Sequence, residues 1–274
     1  MEKIILLTFL LCSFSAKAFF LNTSTGAAFD NEVSIYVTSN STCTNAGITK
    51  ERLLEIAVQA AEKYWNRVPT ANLTLKRGGI LTTTDNLFLT GKLCATGCNA
   101  ATDVPAVNDI VIACNNNSVD NFPSSAYLAL TAPNNLSSSK ISGSVILIND
   151  TATTSFNTLS SAEVESVLAH EIGHAIGLGH TGKTEAMMYH LNNPDRKKLA
   201  KDDVDGVSYL YPNQFDGCKD ILGLSLGLSD PKDPPSNNNF ILSLFMGLSV
   251  GFLSLFGWIK FTPFFKNRRR LVSV

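Results

Sequence analysis

HEIGHAIGLGH, His170 to His180, is the stretch that decides how this chain is read. The sequence has 4 histidines, and three of them fall within it. On a helix, His170 and His174 stand one turn apart on the same face. His180 cannot join them from the same helix, because a continuing helix would carry it about 15 Å further along the axis. Gly177 removes that obstacle. Glycine tolerates positive φ, so it can stop the helix and turn the chain back towards the two imidazoles.

Three converging imidazoles with an open fourth position form the ligand pattern of a catalytic zinc. One zinc ion, held by His170, His174 and His180, is the expected cofactor. Glu171, rotated by one position, lies close enough to reach a group bound between the histidines. Zinc lowers the pKa of a bound water towards about 7, and Glu171 is expected to take that water's proton as it attacks a peptide carbonyl. The fourth histidine, His190, is expected to be an exposed loop residue, since a fourth protein ligand would occupy the water's position.

The preceding segment announces the helix. Ser160-Ser161-Ala162-Glu163 reads as a capping box, Leu159 and Val164 as the hydrophobic staple around it, and Val164, Val167, Leu168, Ile172 and Ala175 as the core face. Further upstream, alternating Val33, Ile35 and Val37 predict a strand with one buried face. A three- and four-residue rhythm from Thr49 to about Asn66 predicts a helix through Leu54, Ala57, Val58, Ala61 and Trp65. Leu73 and Leu75 mark a second short strand. Residues 78 to 107, rich in Thr, Asn and Gly, read as one long loop. Asp109–Cys114 and Ser144–Ile148 are continuous apolar runs, the pattern of strands covered on both faces, with a weaker strand at Tyr127–Thr131 between them.

The two ends carry different chemistry. Residues 1–18 read as a signal peptide, with Lys3, an apolar run from Ile4 to Leu11, and Ala16-Lys17-Ala18 as the cleavage site. Ser229–Asn239 has three prolines and no apolar periodicity, which places a linker or stalk over 213–239. Phe240–Ile259 is an uncharged run long enough to cross a bilayer as a transmembrane helix, and the cationic residues in 260–274 mark a cytoplasmic tail. The domain between, residues 19–212, is therefore expected outside the cytoplasm, secreted by the signal and anchored by the span. Cys43, Cys94, Cys98, Cys114 and Cys218 remain after signal removal, and disulfides are expected among them. Their connectivity stays open, with Cys218 the candidate odd thiol. A formal net charge of −1 without a basic stripe argues against nucleic acid as a partner.

The motif residues resemble the metzincin clan and, within it, the matrixin family of zinc metalloproteases. The first match is His170-Glu171-x-x-His174-x-x-Gly177-x-x-His180. The second is Ala186-Met187-Met188-Tyr189, similar to the family's Met-turn. The third is Leu199 to Tyr211, with Asp202 and Asp203, similar to its last helix. The resemblance implies an α+β metzincin-type catalytic domain, a twisted, mostly parallel sheet with two long helices and a small lower subdomain. It implies a hydrophobic floor under the metal from Met188, and a pocket for the residue after the cleaved bond shaped by Tyr189. It also suggests that a Phe19 amine freed by signal cleavage pairs with Asp202 or Asp203. The P-R-C-G inhibitory motif of the family's pro-segment does not occur in the sequence, and His190 stands where the family places proline.

The expected function is that of a zinc endopeptidase acting on extracytoplasmic protein or peptide substrates. A non-catalytic surface adhesin on the same fold is the alternative, and Glu171 weighs against it, since a binding module has no use for a general base.

Overall fold

The computed structural model describes residues 19–23, 26–41, 43–94, 96–134, 139–191 and 196–213. The signal peptide, the membrane span, the basic tail, Cys218 and nearly all of the stalk lie outside the described residues. Among the described residues no helix is long and apolar enough to cross a membrane.

Five strands form one mixed sheet in the order β2-β1-β3-β5-β4. They are β1 (Glu32–Thr38), β2 (Thr74–Leu81), β3 (Asp109–Asn115), β4 (Ala129–Pro133) and β5 (Gly143–Asn149). The first three and β5 run parallel, and β4 pairs antiparallel with β5 at the edge. Helix α1 (Lys50–Ala60) continues into a π-helical turn at Ala61–Trp65; α2 (Leu87–Thr90) is a single turn, and α3 (Ser161–Ala175) and α4 (Lys201–Leu210) follow.

The unbroken apolar runs of β3 and β5 have a direct physical origin. Ile110, Ile112, Cys114, Ile146 and Ile148 face a core shared with α1 and α3. Their alternates Val111, Ala113, Val145 and Leu147 face a second cluster with Phe88, Val104 and Phe122. Both faces are covered, so neither can be polar. Trp65, fully buried, donates from its indole nitrogen to the Ala169 carbonyl at 2.9 Å and locks α1 against α3.

The strand at Leu73 and Leu75 proves longer than its apolar residues suggest. Gly78 and Gly79, read in sequence as the start of a loop, form a bulge inside β2, where Ile35 pairs Arg77 and Tyr36 pairs Gly79. A Cβ on Gly78 would stand 2.6 Å from the Tyr36 ring, so the glycine is what lets that ring cross the strand. The edge strand likewise begins two residues later than its sequence pattern, at Ala129, and ends on Pro133. An edge strand tolerates that proline because one side of its backbone has no ladder partner.

The rest of residues 82–107 is stapled. Cys94 pairs with Cys98, and Cys43 with Cys114. The first bond holds a short surface loop, and the second ties the segment after β1 to the end of β3. Near the other end of the domain, the Tyr211 hydroxyl donates to the Ile176 carbonyl (2.8 Å) and accepts from the Phe29 amide (3.1 Å). That single phenol joins the end of α4 to the end of α3.

Candidate metal centre

Helix α3 begins and ends as its sequence dictates. Ser160 Oγ accepts from the Glu163 amide, and Glu163 Oε2 accepts from the Ser160 amide at 2.8 Å, which completes the capping box. At the far end Gly177 has φ of +109°. Its amide donates to the His174 carbonyl (3.0 Å) and the Leu178 amide to the Gly173 carbonyl (2.9 Å), the paired bonds of a Schellman turn. A side chain at Gly177 would meet the Ala27 carbonyl at 2.5 Å, so backbone conformation and space both demand glycine.

The turn brings three imidazoles to one point. His170 Nε2 lies 3.1 Å from His174 Nε2 and 3.2 Å from His180 Nε2, and His174 and His180 are 3.1 Å apart. The Nδ1 atoms of His170 and His174 donate to the carbonyls of Met187 (2.7 Å) and Leu178 (2.8 Å). Those bonds fix the tautomer, so the lone pairs of two Nε2 atoms, with a third imidazole beside them, face inward. Burial holds both rings well below the usual histidine range, to about 4, with further lowering from neighbouring histidines. His180 is more exposed and is lowered by burial and then by His190. Neutral imidazoles with converging lone pairs suit a cation. Nitrogens about 2.0–2.1 Å from a tetrahedral zinc are about 3.3–3.4 Å apart, close to the observed edges.

Glu171 is buried, and burial pushes its carboxyl above the usual carboxylate range. Its Oε2 accepts from the Thr131 hydroxyl of β4 at 2.5 Å. Thr131 has no sequence signal, because it meets Glu171 only across 40 residues of chain. Met188 is 2% exposed, and a Cβ on Gly173, between the two helical histidines, would collide with its sulfur. Tyr189 lines the cleft in front of the histidines, along with Leu130, Ala132, Val167 and Arg196, in a cavity of about 490 Å³. His190 is exposed, and its ring centroid lies 6.3 Å from that of His180, outside the three-histidine cluster.

Asp203 carries more than its sequence position suggests. Its carboxylate accepts from the backbone amides of Met187 (2.7 Å), Met188 (3.0 Å) and Ala200 (2.8 Å). One side chain thus caps α4 and pins the turn whose Met187 carbonyl orients His170. Phe19 does lie against α4, its ring 5.3 Å from that of Tyr209. Asp203, however, already holds three amides.

Cys94, Cys98 and Asp103 also cluster, but both sulfurs are joined in a disulfide and offer no thiolate.

Fold and site together define a metzincin-like domain built around three histidines and one buried carboxylate. The matrixin family model matches residues 16–212, and the chain belongs to that family. Among individual relatives, Metalloendoproteinase 5-MMP of Arabidopsis thaliana is 46% identical over 57 residues, 20% of this chain and 16% of that protein. Metalloendoproteinase 1 of Glycine max is 48% identical over 54 residues, 19% of this chain and 18% of that protein. Stromelysin-1 of Equus caballus is 51% identical over 49 residues, 16% and 10% of the two chains. The matched stretches therefore span less than a fifth of each of these relatives.

Proposed function

We propose that the chain is a zinc-dependent endopeptidase, with His170, His174 and His180 as the metal ligands and Glu171 as the general base. The observation that carries this reading is the convergence of three Nε2 atoms within 3.2 Å beside a buried carboxylate. Family membership and the metalloendoproteinase relatives support it.

Zinc bound there would acidify a water and polarise the peptide carbonyl. The chain's own part begins with Glu171. Burial raises its proton affinity, which suits a group that must accept a proton and then return it to the departing amine. Thr131 holds one carboxylate oxygen by a hydrogen bond and so restricts the side chain's rotation. Met188 packs against Gly173, between the two helical histidines, and Tyr189 and the edge strand β4 both line the cleft.

Residues 1–18 and 240–259 support an exported, membrane-anchored protein whose domain of residues 19–212 acts outside the cytoplasm on protein or peptide substrates. The two disulfides fit an oxidising compartment.

The test compares the full-length chain with its Glu171→Gln form for zinc content and for cleavage of a quenched peptide library. One zinc per chain in both, with cleavage reduced about 10²- to 10⁴-fold in the variant, is expected. Zinc in both with no cleavage by the parent would favour the binding-module reading, and folded protein without zinc would remove the site.

A further inference from the structure

Neither the metal ligands nor the end of α3 accounts for Gly179, the residue just before His180. A Cβ there would stand 3.0 Å from the carbonyl oxygen of Leu21, so a distant segment of chain occupies the space a side chain would need. That segment is an arm of residues 20–22. Leu21 forms an antiparallel bridge with Leu178. The Gly179 amide donates to the Phe20 carbonyl at 2.9 Å, and the Asn22 amide donates to the Gly177 carbonyl at 2.9 Å. The Asn22 side chain reaches one step further, its Nδ2 donating to the His174 carbonyl at 2.8 Å. Asn22 is half-buried and borders the cleft.

All three bonds from the arm fall on the stretch from His174 to Gly179, between the second and third imidazoles. The last carbonyls of a helix lack helical partners. That of His174 accepts from the Gly177 amide and, on its second lone pair, from Asn22. Leu178 is gripped from both sides, because its neighbours Gly177 and Gly179 are each bonded to the arm. Its own carbonyl is the acceptor that orients His174 through Nδ1. The helix sets the spacing of His170 and His174 by itself, but His180 lies beyond it. Its place depends on the path of the turn, and the arm braces that path from outside.

Resting on the metal-ligand reading above, we infer that Asn22 is a positioning residue for the metal centre: it holds the turn between His174 and His180 and keeps the third imidazole in register with the other two. It acts through the His174 carbonyl and the bonded Leu178 segment. Gly179 is the matching feature on the other side, the residue whose missing side chain lets the arm come close.

The experiment measures zinc affinity of the full-length chain by chelator competition without denaturant, with circular dichroism of the metal-free protein as the check on folding. Asn22→Leu keeps the side-chain size and removes the donor, and should weaken zinc binding about tenfold, the lower end of the range for groups that orient metal ligands. Gly179→Ala presses on the Leu21 carbonyl from the opposite side and should cost a similar factor; it tests the contact independently should the leucine variant not fold. Because both act through the arm, the double variant should bind zinc about as the weaker single variant does, and not about a hundredfold worse than the parent. Asn66→Ala is the control. It removes two hydrogen bonds, to the Leu75 carbonyl and from the Leu75 amide, and should lower the urea midpoint while leaving zinc affinity within about twofold of the parent.

A folded Asn22→Leu protein that binds zinc as the parent does would overturn the inference while leaving the three-histidine site intact. So would full multiplication of the two single effects in the double variant, since the changes would then act by separate routes. An equal loss of zinc affinity in Asn66→Ala would assign the effect to general destabilisation and overturn the positioning role. Folded parent protein that takes up no zinc would remove the metal site and this inference with it.

Discussion

Replacing Asp203 by alanine should damage both stability and metal binding, because one buried carboxylate serves two structures. It is 2% exposed and accepts from three amides, two in the turn carrying Met187 and Met188 and one at the start of α4. A buried donor left without an acceptor costs about 1–3 kcal/mol, so the two turn amides account for about 2–6 kcal/mol. Loss of the helix cap adds about 0.5–2 kcal/mol. Burial raises the Asp203 pKa, which means the charge is held at a desolvation cost that alanine would relieve. The net expectation is about 3–5 kcal/mol, a large share of the 5–15 kcal/mol typical of a domain. Asp203→Asn keeps one acceptor oxygen and should lose roughly half as much. Because the Met187 carbonyl orients His170, zinc affinity should also fall about 10- to 100-fold in Asp203→Ala. Urea unfolding of the metal-free protein measures the first effect, and competition with a zinc chelator measures the second. An Asp203→Ala protein within about 1 kcal/mol of the parent would refute the accounting, as would an asparagine variant no better than alanine.

Gly173→Ala should cost about 1–3 kcal/mol in urea unfolding, because the new methyl would stand 2.8 Å from Trp65 and closer still to the Met188 sulfur. Removing Cys43–Cys114 by paired serine substitution should cost up to about 4 kcal/mol, since the bond closes a separation of 71 residues, whereas removing Cys94–Cys98, separation 4, should cost at most about 2 kcal/mol. Zinc affinity should respond weakly to acid. Three histidines titrating together near 6.5 would give log affinity a slope of about three per pH unit below that value. His170 and His174, held down to about 4 by burial, stay neutral through this range. Chelator competition between pH 6 and 4.5 should therefore give a slope well below three.

The parts legible in the sequence are those whose physics is local. His170 and His174 share a helix face because four residues make about one turn, Ser160 and Glu163 cap each other across three, and Gly177 announces its own positive φ. The alternation at β1 and the continuous runs at β3 and β5 report how many faces each strand buries. Gly78 and Gly79 misled because a glycine pair signals a departure from regular backbone without saying whether the chain leaves the sheet or bulges within it. Thr131, Arg196 and Asp203 gave no local signal of their contacts. Thr131 meets Glu171 across the cleft, and Asp203 reaches back 16 and 15 residues to the amides of Met187 and Met188. Nor could cysteine spacing pair Cys43 with Cys114, because that contact depends on where β3 ends relative to the segment after β1.

Those long-range contacts explain why the ligand motif needs the rest of the domain. A free peptide of residues 170–180 could place two imidazoles on one helical face, but nothing in it would fix the His170 tautomer, since the acceptor is the Met187 carbonyl. The amide of the same residue donates to Asp203, and α4 is tied through Tyr211 to the Ile176 carbonyl beside Gly177. The path from His170 therefore runs through the turn, into α4 and back to the end of its own helix. A closed path of this kind makes the geometry cooperative: loosening any link loosens the ligands together. With zinc in the proposed site, it would also couple metal binding to folding, because a ligand bound only by the completed site stabilises the fold by RT ln(1 + [Zn]/Kd), about 4.1 kcal/mol at a thousandfold excess over Kd. The unfolding midpoint should consequently rise with free zinc in the parent, and less at the same zinc concentration in Asp203→Ala, where the path is cut at a point that touches no metal.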